Sequence, residues 1–327
     1  MLRIGIMGAG HFAERHLAAL ESLRDRVKVV KVARRHLDRP FPQGEAVGAE
    51  MVAPEALIES PDVDIVCVCS PNDRHRAHTE AALRAGKHVF CEKPLALSVA
   101  DADAVIRAAS EATRVLMVGH LTRHAPLYKT VADVLASGRI GAPRCAYASR
   151  LHVGSSESWR MDPIVGGGAP FDLLIHDFDL MNWYVGVPER VVARGQRRPE
   201  RAYESMVAVF IYPTGAIATV EGGFVLRPGS GLRAQLRIVG DHGHLEVNSA
   251  DPEQPIRIFA EGEPEERIGL SKDQDVFSGI AGEWVEFLGT IAGRPHNRLR
   301  VEDARLAVQC AALAVQSADE SREMQFD

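Results

Sequence analysis

Five short, β-branched and nearly unbroken apolar runs mark the first third of the chain: Ile4 to Met7, Val27 to Ala33, Val63 to Cys69, His88 to Cys91 and Val115 to Val118. Strands that are apolar at every position are buried on both faces, as in a parallel sheet covered by helices. Segments with helical spacing lie between them, His11 to Leu23, Arg74 to Ala85 and Ser98 to Ala112. Gly86 stops the second of these, and Ser98 with Asp101 three residues on can cap the third. The alternation predicts an α/β doubly wound, Rossmann-type sheet. Pro40 and Pro42 interrupt the region after the second strand, where a loop is predicted in place of a helix.

After Gly119 the pattern changes. Pro126 to Ser137 reads as a helix closed by Gly138 and Gly141, and strand-like runs with turn signals between them then take over: Arg144 to Val153, Arg190 to Gln196, Ser205 to Tyr212, Ala216 to Leu226, Ala234 to Val239, His244 to Val247 and Ile256 to Ala260. Gly282 to Ala292 and Glu302 to Ser317 are amphipathic helices. Many antiparallel strands with helical cover predict an α+β second domain with an open sheet. The expected division is therefore 1–122 and 123–327 of 327 residues.

Candidate chemistry collects at the ends of the apolar runs. The first strand runs into Gly8-Ala9-Gly10-His11-Phe12-Ala13, where Gly8 permits a tight turn, Gly10 lets backbone approach a pyrophosphate, and the helix beyond offers unpaired N–H groups. Ala13 stands where a third glycine is usual, a replacement the pattern allows. Ser70-Pro71-Asn72-Asp73-Arg74-His75 follows the third run as an exposed turn, and the fourth ends in Glu92-Lys93-Pro94, with Lys93 at the carboxyl edge where α/β sheets bind ligands. Gly166-Gly167-Gly168 precedes a predicted helix starting near Pro170, on which Asp172, His176 and Asp179 share a face among Phe171, Leu174, Ile175, Phe178 and Trp183. Taken singly, each is also read as an ordinary turn, a solvated lysine or a polar stripe.

Taken together, in this order and spacing, these stretches resemble the glucose-fructose oxidoreductase / inositol dehydrogenase / MocA family over nearly the whole chain. The resemblance implies an NAD(P)-dependent oxidoreductase that moves hydride between nicotinamide and a secondary alcohol or ketone of a sugar, inositol or related polyol. It implies Lys93, Asp172 and His176 as catalytic residues. Its cofactor set is Gly8, Gly10, His11, Phe12, Ser70, Pro71, Asn72, His75, Glu92 and Lys93, joined by Arg34 and Arg35 from the end of the second strand; it also suggests a cis Lys93–Pro94 peptide, where the sequence itself leaves cis and trans open. His16 matches a histidine common in the family and also fits a structural role at its helix spacing. Imidazole, with an unperturbed pKa near neutrality, suits His176 as general base, oriented or assisted by Asp172, while Lys93 would stabilise developing alkoxide charge. Arg123 and Trp159, with Arg160, Asp162 and His152, are candidate substrate contacts alongside Lys93, Asp172 and His176. A dinucleotide-binding regulator without catalysis and a dehydrogenase of a dihydrodiol or tetrapyrrole are the alternatives.

Composition adds exclusions. A net charge of -6 offers no basic field, which argues against nucleic acid or an anionic membrane as partners. The chain opens directly on a strand pattern, so a cytoplasmic protein is expected. Five cysteines lie in apolar runs, and Cys67-x-Cys69 lacks a second pair at zinc-site spacing, so core residues are expected, with no metal and no disulfide framework. The open sheet predicts a homodimer or homotetramer. At the end of the second strand, Ala33-Arg34-Arg35 stands where an NAD-binding domain places an acid, so NADP is expected over NAD, since a guanidinium can grip a 2′-phosphate that a carboxylate repels.

Overall fold

The computed structural model describes residues 1–327 apart from 155–157, 252, 272–274, 296, 297, 299 and 327. In chain order the first elements are β1 (Leu2–Met7), α1 (His11–Glu21), β2 (Val27–Ala33), α2 (Pro42–Ala46), β3 (Glu50–Val52), α3 (Pro54–Glu59) and β4 (Ile65–Val68). They are followed by α4 (His75–Arg84), β5 (His88–Glu92), α5 (Val99–Ala112) and β6 (Leu116–Gly119). Next come α6 (Pro126–Ala136), β7 (Pro143–Val153), α7 (Gly168–Asp172), α8 (Ile175–Tyr184), β8 (Arg190–Gln196), β9 (Ser205–Ile211), β10 (Ile217–Leu226) and β11 (Arg233–Gly240). The chain ends with β12 (Gly243–Asn248), β13 (Ile256–Ala260), β14 (Glu266–Ile268), α9 (Gly279–Ile291), α10 (Val301–Glu320) and β15 (Met324–Gln325).

The chain divides into two compact units, Met1–His124 with Phe277–Arg305, and Ala125–Val276 with Leu306–Asp327. The expected boundary at 122/123 is thus joined by a return of the chain: α9, expected in the second domain, belongs to the first unit because its apolar face packs on α1 and β6.

In the first unit six parallel strands are ordered β3-β2-β1-β4-β5-β6, the doubly wound arrangement expected. The inner strand β4 and the edge strand β6 are buried at every residue. Ser98 caps α5 by accepting from the Asp101 N–H at 3.1 Å. The expected loop after β2 holds a short helix, since Pro42 occupies the first turn of α2, where its missing N–H has no intrahelical partner to lose. The short strand β3 at the sheet edge was not anticipated.

The second unit is built on nine strands ordered β14-β13-β12-β11-β7-β10-β9-β8-β15. All neighbours pair antiparallel except β7 and β10, which run parallel. Burial alternates along β9 and β11, as in a sheet with one packed and one open face. The open face carries Val207, Ile217, Val239 and Cys145, the last being exposed rather than in the core as expected. Beneath the packed face Arg150 on β7 donates two hydrogen bonds to Asp177 on α8, at 2.7 and 3.0 Å, and one to the Tyr128 hydroxyl at 3.0 Å.

Candidate active site

β1, β4 and β5 are neighbours in the parallel sheet, so their carboxyl ends bring the glycine turn, the Ser70 turn and the Lys93 turn to one edge. Gly8 has φ +118, its N–H donates to the Ala33 carbonyl at 2.9 Å, and a Cβ there would stand 2.6 Å from the Cys69 carbonyl oxygen. Only glycine fits that wedge between β2 and β4. Gly10, the N-cap of α1, is different. Its φ of -111 suits any residue, and a Cβ would meet nothing within 4 Å. The protein's own packing does not require a glycine at Gly10, and its bare backbone at a helix N-terminus fits a pyrophosphate.

Phe12 lies in the first turn of α1, and the Lys93 ammonium sits 5.8 Å from its ring centre. Phe12 and the exposed His11 also meet Phe277 edge-on, at 6.5 and 6.2 Å. Lys93 is only 6 % exposed, and the Lys93–Pro94 peptide is cis. His75 ties two of the turns together: its ring nitrogens lie 2.7 Å from the Pro94 carbonyl oxygen and 2.8 Å from that of Ser70. Burial holds the His75 pKa below its ordinary value, so the ring is neutral near pH 7 and donates to one carbonyl at a time. The Ser70 hydroxyl meets His78 Nδ1 at 2.9 Å, and Asn72 is buried beside the exposed Pro71.

Three expected contacts look inward. Glu92 places Oε1 2.8 Å from His16 Nε2 and accepts the Lys93 N–H on Oε2 at 3.2 Å, so its carboxylate braces the turn from beneath rather than facing a cofactor. Arg34 donates through Nη1 to the carbonyls of Arg39 at 2.6 Å and Pro40 at 3.0 Å, clamping its own turn, while Arg35 is exposed. Arg34 Nε is buried and meets no acceptor among the described residues, a donor that a phosphate oxygen would satisfy. Arg123 is buried and donates to the Arg298 carbonyl at 2.9 Å and to Asp303 at 3.1 Å, so it takes part in an internal ion pair.

In the second unit the glycine run works by close approach. A Cβ at Gly166 would stand 2.4 Å from the backbone of Arg160, and one at Gly168 would stand 2.6 Å from Ala202. Gly167 and Gly168 have positive φ, +76 and +72, so the helix begins at Gly168, two residues before Pro170. It also breaks: α7 ends at Asp172, and α8 starts at Ile175. The Leu173 and Leu174 N–H groups both donate to Ala169, making a tight joint where one continuous face was expected. Asp172 and His176 therefore stand on separate helices. Asp172 pairs with Arg160 at 2.9 Å, and the Arg160 guanidinium lies 4.9 Å from the ring centre of Trp159, itself 40 % exposed. His176 is 9 % exposed, and Asp179 is fully buried. Asp162 spends its carboxylate on the N–H groups of Ile164 and Val165, a turn-forming role, and His152 meets the carbonyl of Val153 at 2.5 Å.

Sequence reasoning missed Trp284, whose indole N–H donates to His16 Nδ1 at 2.9 Å. The two are 268 positions apart, and the one signal was the apolar spacing of the helix that carries Trp284. The ligand atoms of His16, Cys67 and Cys69 lie within 4.8 Å of one another. Trp284 occupies the lone pair of Nδ1, and Nε2 faces Glu92, so the imidazole is committed to hydrogen bonds. Burial raises the pKa of both thiols and pushes that of Cys91 up to about 12, so they remain protonated core groups.

A family profile described as an oxidoreductase family with an NAD-binding Rossmann fold matches residues 2–120, and one described as the GFO/IDH/MocA C-terminal domain matches residues 128–246. An inositol 2-dehydrogenase of Acidothermus cellulolyticus is 31 % identical, with 87 % of this chain and 84 % of that protein covered. A 1,5-anhydro-D-fructose reductase of Ensifer adhaerens is 36 % identical over 56 % of each chain. A levoglucosan dehydrogenase, solved in complex with NADH and levoglucosan, shares the fold with a TM-score of 0.89 at 19 % identity over 99 % of both chains. Glycine turn, Ser70 turn, Glu92-Lys93-Pro94 and both domain profiles agree, and the chain belongs to the GFO/IDH/MocA family of oxidoreductases.

Proposed function

We propose that this protein oxidises a secondary alcohol of a sugar, inositol or related polyol, or reduces the corresponding ketone, with Lys93, Asp172 and His176 as the reacting set. The observation that carries the reading is Lys93: an ammonium kept almost wholly from water, at the carboxyl edge of β5 and over the first turn of the helix that follows the glycine turn. When bound, the dinucleotide supplies a two-electron hydride acceptor or donor. Gly8 and Gly10 shape the turn that receives its pyrophosphate, and Ser70, Pro71 and Asn72 line the neighbouring strand end. Lys93 donates to the substrate oxygen and stabilises the charge that develops there. His176 takes the hydroxyl proton, and Asp172, directed by Arg160, orients the substrate. The names of the relatives, an inositol dehydrogenase and a reductase of an anhydro sugar, support a polyhydroxylated substrate.

The cofactor proposed is NADP, with NAD as the alternative. Ala33-Arg34-Arg35 places no acid at the end of β2, and the buried Nε of Arg34 lacks an acceptor, which favours a 2′-phosphate. One charge-assisted hydrogen bond, about 1.5 to 3 kcal/mol, corresponds to roughly ten- to a hundred-fold in preference. A homodimer or homotetramer through the open face of the nine-stranded sheet is proposed as well, since Val207, Ile217 and Val239 lie open there. No described helix is long and apolar enough to cross a membrane, in keeping with the cytoplasmic location proposed.

Incubation with NAD or NADP and a panel of inositols, anhydro sugars and aldoses, following absorbance of the reduced nicotinamide, tests the reading. Turnover of at least one polyol is expected, with kcat/KM higher for NADP and that preference lost in Arg34→Asp. Dinucleotide binding without turnover of any panel member would defeat the enzymatic reading. A native preference for NAD would defeat the cofactor assignment alone.

A further inference from the structure

Beneath the Lys93 turn runs a buried chain of hydrogen bonds. Trp284 is fully buried on α9 and its indole nitrogen can only donate, so His16 Nδ1, 2.9 Å away, carries a lone pair. An indole N–H can donate only to an unprotonated Nδ1, so the ring proton of His16 is on Nε2, from which it is donated to Glu92 Oε1 at 2.8 Å; burial of the ring opposes a second proton, which Cys69 and Glu92 favour. The other oxygen of Glu92 accepts the backbone N–H of Lys93 at 3.2 Å. His16 is fully buried and Glu92 is 4 % exposed, so water does not compete for these bonds.

The surrounding rings fix the chain's geometry. Phe90 stacks on Trp284 with centres 4.9 Å apart and meets His16 edge-on at 5.2 Å, while Phe287 closes on both Phe90 and Trp284 at 5.6 and 5.7 Å. On β6, a Cβ at Gly119 would stand 3.2 Å from Glu92 Oε1 and 3.0 Å from the Phe90 ring, so the absence of a side chain there makes room for the carboxylate.

We propose that Trp284, His16 and Glu92 form a positioning chain that fixes the backbone of Lys93 and through it the direction of the Lys93 ammonium. The inference rests on the reading of Lys93 as the group that acts on the substrate oxygen. Trp284 selects the His16 tautomer, His16 orients Glu92, and Glu92 holds the peptide N–H of Lys93. None of the three touches substrate or cofactor in this scheme. Their effect falls on the rate of the chemical step and not on the binding of either reactant.

Trp284→Phe keeps the stacked ring and removes only the indole N–H, and Glu92→Gln keeps the volume but puts an amide NH2 where one of two donors now points. With myo-inositol and either dinucleotide, kcat is expected to fall about three- to ten-fold in Trp284→Phe and about ten- to a hundred-fold in Glu92→Gln, with both KM values within about two-fold. Amide hydrogen exchange provides a readout that needs no turnover. The peptide containing Lys93 should exchange faster in both variants, with peptides of β4 and β6 unchanged. Unchanged exchange at Lys93, or faster exchange throughout the first unit, would overturn the chain. So would an undiminished kcat in both variants when Lys93→Ala is crippled. If Lys93→Ala itself keeps full kcat, the role given to Lys93 fails instead, and the exchange measurement still decides whether the chain holds its backbone.

Discussion

The six-stranded sheet buries β4 and β6 at every residue and pairs all its strands in parallel, whereas β9 and β11 of the nine-stranded sheet alternate buried with open positions. In the first unit parallel strands deliver their carboxyl ends to one edge. Turns distant in sequence, at Gly8, Ser70 and Lys93, meet there as soon as strand order is set. In the second unit the candidate residues stand off the sheet, on α7 and α8, and their directions depend on a joint at Leu173 and Leu174 and on an ion pair with Arg160. The first half of the proposed reacting set thus follows from topology, and the second from packing. Both halves nonetheless rest on buried polar contacts, Glu92 with His16 in one and Asp177 with Arg150 in the other.

The largest effects should test whether the two halves serve one reaction. Lys93→Ala and His176→Ala are each expected to lower kcat by about two to four orders of magnitude, and in His176→Ala dinucleotide affinity, read by quenching of tryptophan fluorescence, should be nearly unchanged. On the proposed reading, in which both groups act on one oxygen, the double variant should lose less than the two single losses combined. A single variant with full turnover would show that one half is a scaffold only.

Next in size is the buried pair of the second unit. Arg150→Ala leaves the Asp177 carboxyl buried without its guanidinium, and burial already pushes the Asp177 pKa up despite that partner. A loss of about 3 to 5 kcal/mol in urea unfolding is expected, and the double replacement Arg150→Met with Asp177→Leu should recover most of it. Equal losses in both would mean that the pair contributes through its charges and not through avoiding a lone one.

The glycine turn sharpens the contrast between structural and ligand-directed residues within the first unit. Gly8→Ala forces a Cβ against the Cys69 carbonyl at positive φ and should cost about 1 to 3 kcal/mol of stability. Gly10→Ala should leave stability within about 0.5 kcal/mol, because nothing lies near the added methyl. It should nevertheless weaken dinucleotide binding by roughly ten-fold or more. Thermal unfolding with and without NADPH separates the two; equal stability of both variants, or unaltered affinity in Gly10→Ala, would break the distinction.

The smallest effect expected is a pH dependence of stability in the first unit. Burial lowers the folded-state pKa of His75, so the unfolded chain binds the proton more readily. Stability is then full above the unfolded value of about 6.5 and falls as pH drops below it, by at most about 1.4 kcal/mol per pH unit from this group. His78 and His88, also lowered by burial, add in the same direction. Urea midpoints between pH 7.5 and 5 should fall, and less steeply in His75→Gln; a midpoint that rises on acidification would reverse the assignment.

Much of this architecture was legible in the chain itself, for physical reasons. Doubly buried strands need unbroken apolar runs, glycine alone supplies the turn conformation at Gly8, and Ser98 with Asp101 writes its own helix cap. Local chemistry of this kind acts over a few residues, so the alternation of strand and helix in a Rossmann-type sheet, the open second sheet and the family motifs could be read directly. What the motifs could not contain were partners brought in from far along the chain. Glu92 turns inward because His16 and Trp284 wait beneath it, and α9 joins the first unit because its apolar face packs there. Arg123 is claimed by Asp303, and Arg34 by carbonyls of its own turn, because an arginine buried or half-buried takes whichever acceptors the folded backbone presents. The helix carrying Asp172 breaks at a joint where the Leu173 and Leu174 N–H groups both turn back to Ala169, which residue type and spacing do not signal. Residue type and spacing determine which groups are available for chemistry, but the direction each one faces is set by contacts between segments that only the folded chain brings together.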